Sequence, residues 1–163
     1  MINTIPKEVL ANKSQRFINF CIDFIVRILI FLGIGFVIGI ADQFFMTDYV
    51  SFLENMNRLQ EIFIELLLVS VYYLLMEILT ARTIGKYITG TMVVDQYGNK
   101  ATSQHIALRT LCRFVPFDPL SFLGEDGKGW HDKWSQTLVV DVKKFNDDKQ
   151  RKIEFDKLGV SEE

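Results

Sequence analysis

Two long apolar stretches, Phe17 to Ile40 and Ile62 to Ala81, decide most of what this chain can fold into. Apolar residues make up 49% of the 163 residues, 14 residues being phenylalanine, yet the mean hydropathy is only +0.18 because the charges gather elsewhere, above all in the last twenty or so positions. A soluble domain spreads its apolar residues along the chain, so the segregation argues for a bilayer rather than a globular core. A helix that crosses the hydrocarbon needs about 20 residues. The uninterrupted run Ile28–Ile40 is too short, and extending it back to Phe17 takes in Asn19, Asp23 and Arg27. The second stretch contains Glu65 and Glu77.

Lysine and arginine near the ends of spans mark the cytoplasmic side. Lys7, Lys13 and Arg16 precede the first stretch, and Arg82 and Lys86 follow the second. Between them Ala41–Glu61 holds only Arg58 against Asp42, Asp48, Glu54 and Glu61. The expected topology is multi-pass, with both termini cytoplasmic. Glu8 in the leading segment, the late apolar run and the lack of an Ala-x-Ala site argue against a cleavable signal. The acidic balance offers no basic face for nucleic acid. Cys21 and Cys112 are far apart and lack zinc spacing, so both are expected reduced and buried, with no metal and no cofactor.

Ionisable groups inside a span are costly, so they are paired, turned inward or functional. Arg16, Asp23 and Arg27 share one helical face. With about 1.5 Å rise per residue, an antiparallel second helix brings Glu77 to the level of Asp23 and Tyr73 to that of Arg27. Arg16, Asp23, Arg27, Tyr73 and Glu77 are thus expected in one inner-leaflet cluster, either a cation or proton site or a structural ion pair locking two helices. Gly35-x-x-x-Gly39, beside Gly33, matches the small-residue pattern of close helix contact, within the chain or between copies.

Past the second span, Met92–Asp95 and Thr137–Val140 read as short strands able to pair into a minimal sheet of unassigned direction. Ser103–Phe117 has helical periodicity, with His105, Arg109 and Arg113 every fourth residue beside an apolar side. Such a basic amphipathic helix either lies in the interface or packs on the spans. Arg109, Arg113, Lys86 and Trp130 form a candidate lipid- or partner-binding set, Trp130 and Trp134 suiting a headgroup-level anchor. Pro116, Pro119 and Gly124–Gly129 break regular structure. His131-Asp132 lacks the companions of a metal or acid–base site, and Asp132 is expected to pair with Arg109 or Arg113. The organisation expected is a leading segment 1–16, a membrane domain 17–140 (spans 17–40 and 62–81, amphipathic helix 103–117) and a charged soluble tail 141–163 frayed at Gly159–Glu163.

Several of these residues fall into one order: Ala11-x4-Arg16-Phe17-x5-Asp23, then Thr83-Ile84-Gly85-Lys86-x3-Gly90-x2-Val93-Val94-Asp95-x2-Gly98, then Arg109 and Arg113, then His131-Asp132-x4-Thr137-x-Val139-Val140. In this the chain resembles the RDD family of membrane proteins over about Ala11–Val140, with Arg16, Asp23 and Asp132 in the places of the family's arginine and two aspartates. The resemblance implies a mainly α, two-span core with the amphipathic segment folded against it, in a bacterial inner membrane; it says little about activity, and the absence of nucleophile and metal motifs makes an enzyme the least expected class. Transport is suggested for the family, and some members look like sodium/proton antiporters. Two spans cannot enclose a pathway alone, so that function would need a homo-oligomer or a larger complex. The alternative is a membrane scaffold or accessory protein that organises lipid or partners.

Overall fold

Asparagine opens both long helices. The computed structural model describes residues 5–116, 118, 121, 124 and 128–160, with the backbone alone at 156, 158 and 160. In it the Asn12 side chain accepts from the Gln15 N–H at 2.7 Å while Gln15 reaches back to the Asn12 N–H, a capping box that starts α1, Lys13–Phe45. Asn57 and Gln60 repeat the device at the start of α3, Arg58–Thr80, after a short α2, Tyr49–Glu54. Both long helices are apolar and long enough to cross a membrane. The 33 residues of α1 run about 50 Å, beyond the roughly 30 Å of a hydrocarbon core, so one end has length to spare. That end is the N-terminal one, where Arg16, Asn19 and Asp23 are buried.

The remaining elements form a cap at this end. Thr83 caps α4, Ile84–Thr89, which packs on α1, and β1, Thr91–Asp95, follows directly. Helix α5, Ser103–Cys112, packs on α3, and α6, Trp130–Trp134, packs on α5. Strand β2, Thr137–Asp141, leads straight into α7, Val142–Val160. The two strands pair antiparallel, Thr91 opposite Asp141 and Val93 opposite Val139. Both faces of this small sheet are covered. Val94 and Val140 pack with Val9, Leu10 and Phe145, while Val93 packs with Ala101, Ile106 and the Leu74 and Ile78 side chains of α3. The chain is mainly helical, with a minimal sheet, and the sheet is what ties the leading segment to the end of α3.

Several expectations change. Helix α5 stops at Cys112, not at Phe117, which itself lies outside the described residues; Pro116 lacks an N–H and disfavours helix in the residue before it, so 113–116 form turns. Cys112 is buried, but Cys21 is only half-buried because it sits on the flank of α1. The tail is helical from Val142 to Val160; its last residues 161–163, like Pro119 and residues 125–127 of the glycine loop, lie outside the described residues. A Cβ added at Gly33, Gly35 or Gly39 would meet nothing within 4 Å, so these glycines make no close helix contact within the chain. Between the long helices lies a mostly apolar cleft of about 460 Å³, lined by Ile34, Ile38, Ile64 and Leu68, with Glu61 and Glu65 at its polar part.

Candidate functional site

The cap is fastened by a buried network of charges whose hubs are three carboxylates. Asp23, 3% exposed, is the first. Its carboxylate accepts from the Thr83 hydroxyl at 2.7 Å, the Tyr72 hydroxyl at 3.0 Å and the Gly85 N–H at 2.9 Å. Thr83 and Gly85 begin α4, so α1 docks through an acid that answers the unpaired donors of a helix start. Gly85 is required by proximity: a Cβ there would stand 2.6 Å from the Asn19 carbonyl oxygen.

Glu77, fully buried on α3, is the second hub. Its Oε1 accepts from Lys86 Nζ at 2.6 Å and Arg113 at 3.3 Å, and its Oε2 lies 3.3 Å from Arg109 Nε. Asp132, the third, is held by Arg16 and Arg109 and accepts from the Gly129 N–H at 3.0 Å, capping α6. Arg109 is the bridge. One edge faces Glu77, the other faces Asp132, and Nη1 also donates to the Thr137 hydroxyl at 2.8 Å. The Arg113 guanidinium stacks 4.0 Å from the Tyr73 ring centroid.

Helix α5 is therefore amphipathic in the reverse of the soluble sense. Arg109 is 1% exposed, whereas Leu108 and Leu111 are 45% and 59% exposed. Its charges point into the protein and its leucines point out. Of the two placements open to this helix, packing against the spans is the one found, and Arg109, Arg113 and Lys86 hold carboxylates instead of presenting themselves outward. Trp130 and Trp134 do remain on the surface, their rings stacked at 6.2 Å.

The expected cluster of Arg16, Asp23, Arg27, Tyr73 and Glu77 is thus assembled in part and rewired. Arg16 pairs with Asp132, not with its helical neighbour Asp23. Arg27 makes no ion pair among the described residues: it lies over the Phe24 ring at 5.5 Å, and its buried Nε has no hydrogen-bond partner. The Asp23 oxygens are already occupied from the α4 side, which leaves the adjacent turn of α1 out. Sequence reasoning chose Tyr73 by depth and missed Tyr72, the tyrosine that bonds Asp23. It also missed Asp118, which precedes a proline outside any periodic element. Thr83 stood only in the family pattern, with no helix expected after it.

His131 completes the network. Its backbone N–H and ring Nδ1 both meet Asp118, at 2.8 and 2.7 Å, while Nε2 is 3.5 Å from Asp132. Asp118 accepts, so the proton of the neutral ring belongs on Nδ1. Burial lowers the His131 pKa from 6.5 to about 4, Asp132 opposing and Arg109 adding to the shift. Burial works to raise the Asp132 carboxyl, but Arg109 and Arg16 overcome it and hold it well below the usual range. With His131 neutral, Arg16, Lys86, Arg109 and Arg113 balance Asp23, Glu77, Asp118 and Asp132 charge for charge.

This arrangement has a pH signature. A histidine whose folded pKa lies below its unfolded one contributes stability above about pH 6.5, and that contribution is lost as pH falls to about 4. The loss over this window is about 3 kcal/mol. The thermal midpoint in detergent is expected to fall across that window, and His131→Gln should flatten the slope. An unchanged slope in the variant would assign the effect to other groups.

A cavity of about 40 Å³ lies amid the network, lined by Arg16, Asn19, Asp23, Lys86, Arg109 and His131 among others. It is large enough for water and too small for an organic solute. A second cavity, of about 110 Å³, lies further along the long helices and is lined by Arg27, Glu65, Tyr73 and Arg113 among others.

The model of the RDD family matches residues 10–136. The chain belongs to the RDD family. The match spans Arg16, Asp23 and Asp132, and in this RDD protein each is an anchor of the buried network. No curated protein and no solved structure gave a match.

Proposed function

We propose that this RDD protein is a non-enzymatic scaffold of the bacterial inner membrane, multi-pass, with the cap and both termini on the cytoplasmic side. The network acts as a clamp that holds the cap on the spans, and the uncovered faces of α1 and α3 assemble with further helices, of other copies or of a larger membrane complex. One observation carries the reading: each hub carboxylate is already engaged by cations or donors of the protein itself. Asp23 has three donors, Glu77 has three cations and Asp132 has two arginines and an N–H. A transport site needs a carboxylate that exchanges partners, and these are committed to protein.

A second reading, a component of cation/proton exchange acting as an oligomer, is favoured by the 110 Å³ cavity. Glu65 faces it without a hydrogen bond or ion pair among the described residues, opposite the unpaired Arg27. Lone ionisable groups at membrane depth are functional by default expectation. Cation-dependent proton flux in proteoliposomes separates the readings. The scaffold predicts flux no higher than in protein-free vesicles, and a lower thermal midpoint for Asp23→Asn. Flux in the wild type that Glu65→Gln abolishes, with fold and oligomeric state retained by chromatography, would overturn the scaffold in favour of transport.

A further inference from the structure

The arginines of the network are turned inward, yet the cap carries a separate basic surface. Lys7, Lys13, Lys128, Lys133 and Lys144 line a groove of about 750 Å³, with Arg16 at its base and Glu8 as its acidic lining residue. The leading segment, the first turn of α1, the approach to α6 and the start of α7 each contribute. Among the described residues that line it, five lysines stand beside one carboxylate, Arg16 being answered by Asp132, in a chain whose net charge is −2. Charge this concentrated fits a polyanionic ligand. The groove is not purely polar: Leu10, Ala11, Leu138 and Val139 contribute an apolar strip. Its size lies within the range of small-ligand sites, about 300–1,000 Å³.

The position of the groove identifies the source of the anion. Lys13 is the first residue of α1, and Phe17 and Ile18, the first large apolar side chains exposed on that helix, follow one turn later. One turn is about 5.4 Å. The groove therefore opens beside the point where α1 becomes apolar, at the depth of phosphates in a leaflet. Basic pockets at that level take anionic phospholipid headgroups. We infer that this groove binds the phosphate-bearing headgroup of an anionic phospholipid in the leaflet on the cap side, the apolar strip lying against the lipid's glycerol and upper chain. The inference is independent of the function proposed above, because a scaffold and a transporter would both carry such a site.

The full chain in detergent tests it, with cardiolipin, phosphatidylcholine and soluble glycerophosphate as probes and lipid retention by native mass spectrometry and thermal midpoint as readouts. Cardiolipin is expected to be retained and to raise the midpoint, phosphatidylcholine not. Lys7 and Lys144 are exposed and Lys128 half-buried, all three outside the network, so the triple Lys→Gln variant at these positions should fold normally and bind cardiolipin on the order of 100-fold more weakly. The corresponding Lys→Arg triple, which keeps the charge, should bind within a few-fold of wild type. Equal retention of phosphatidylcholine, or unchanged cardiolipin affinity in the Lys→Gln triple, would overturn the site. Glycerophosphate competing as well as intact lipid would overturn the assignment to a membrane ligand.

Discussion

Replacing Glu77 by glutamine is expected to lower the thermal midpoint of the protein in detergent on the order of 10 °C. The carboxylate is fully buried and answers Lys86, Arg109 and Arg113 at 2.6–3.3 Å. Glutamine keeps the shape and removes the charge, leaving three cations in a low-dielectric place. Breaking a buried pair from one side costs about 3–5 kcal/mol, most of it the desolvation of the charge left behind. The same logic predicts partial rescue. Adding Lys86→Met to Glu77→Gln removes one stranded cation, so the double variant should be more stable than Glu77→Gln alone. If Glu77→Gln unfolds at the wild-type temperature, the network is not what holds the cap.

The second large effect needs only a methyl group. Gly85→Ala would place a Cβ 2.6 Å from the Asn19 carbonyl oxygen, 3.1 Å from Asn19 Cα and 3.0 Å from an Asp23 oxygen. Two of those neighbours are backbone of α1 and cannot step aside. Helix α4 must then withdraw, which stretches the 2.9 Å bond from the Gly85 N–H to Asp23. Overpacking of about 1–3 kcal/mol adds to about 1.5–3 for a hydrogen bond to a charged group. Gly90→Ala is the control, since its surroundings are open and only its φ of +66° opposes a side chain, for about 1–2 kcal/mol. Thermal midpoints should fall much further for Gly85→Ala. Equal losses would show that the approach of α4 to α1 is not tight.

Periodicity and length made the long helices legible, and the short runs Met92–Asp95 and Thr137–Val140, rich in valine, made both strands legible. Depth along two antiparallel helices placed Asp23 and Glu77 in one region correctly. What depth cannot supply is rotation. Tyr72 and Tyr73 differ by only 1.5 Å in height but by about 100° around α3, and that turn decides which meets Asp23 and which lies under Arg113. The direction of α5 was equally hidden. A stripe of arginines beside an apolar stripe reads the same whether arginine faces water or a buried glutamate. Only the carboxylates of other segments, Glu77 and Asp132, choose between them.

The bond from Thr83 to Asp23 crosses 60 residues of chain. At about 5–20 residues per second, synthesis reaches Thr83 roughly 3–12 s after Asp23. The first helix is therefore made as a provisional structure whose acid has neither its hydroxyl nor its amide donors. Arg16 waits longer still, for an aspartate 116 positions downstream. Until Asp132 has been made, a nascent chain of this protein holds Arg16 without the carboxylate that pairs with it in the folded structure.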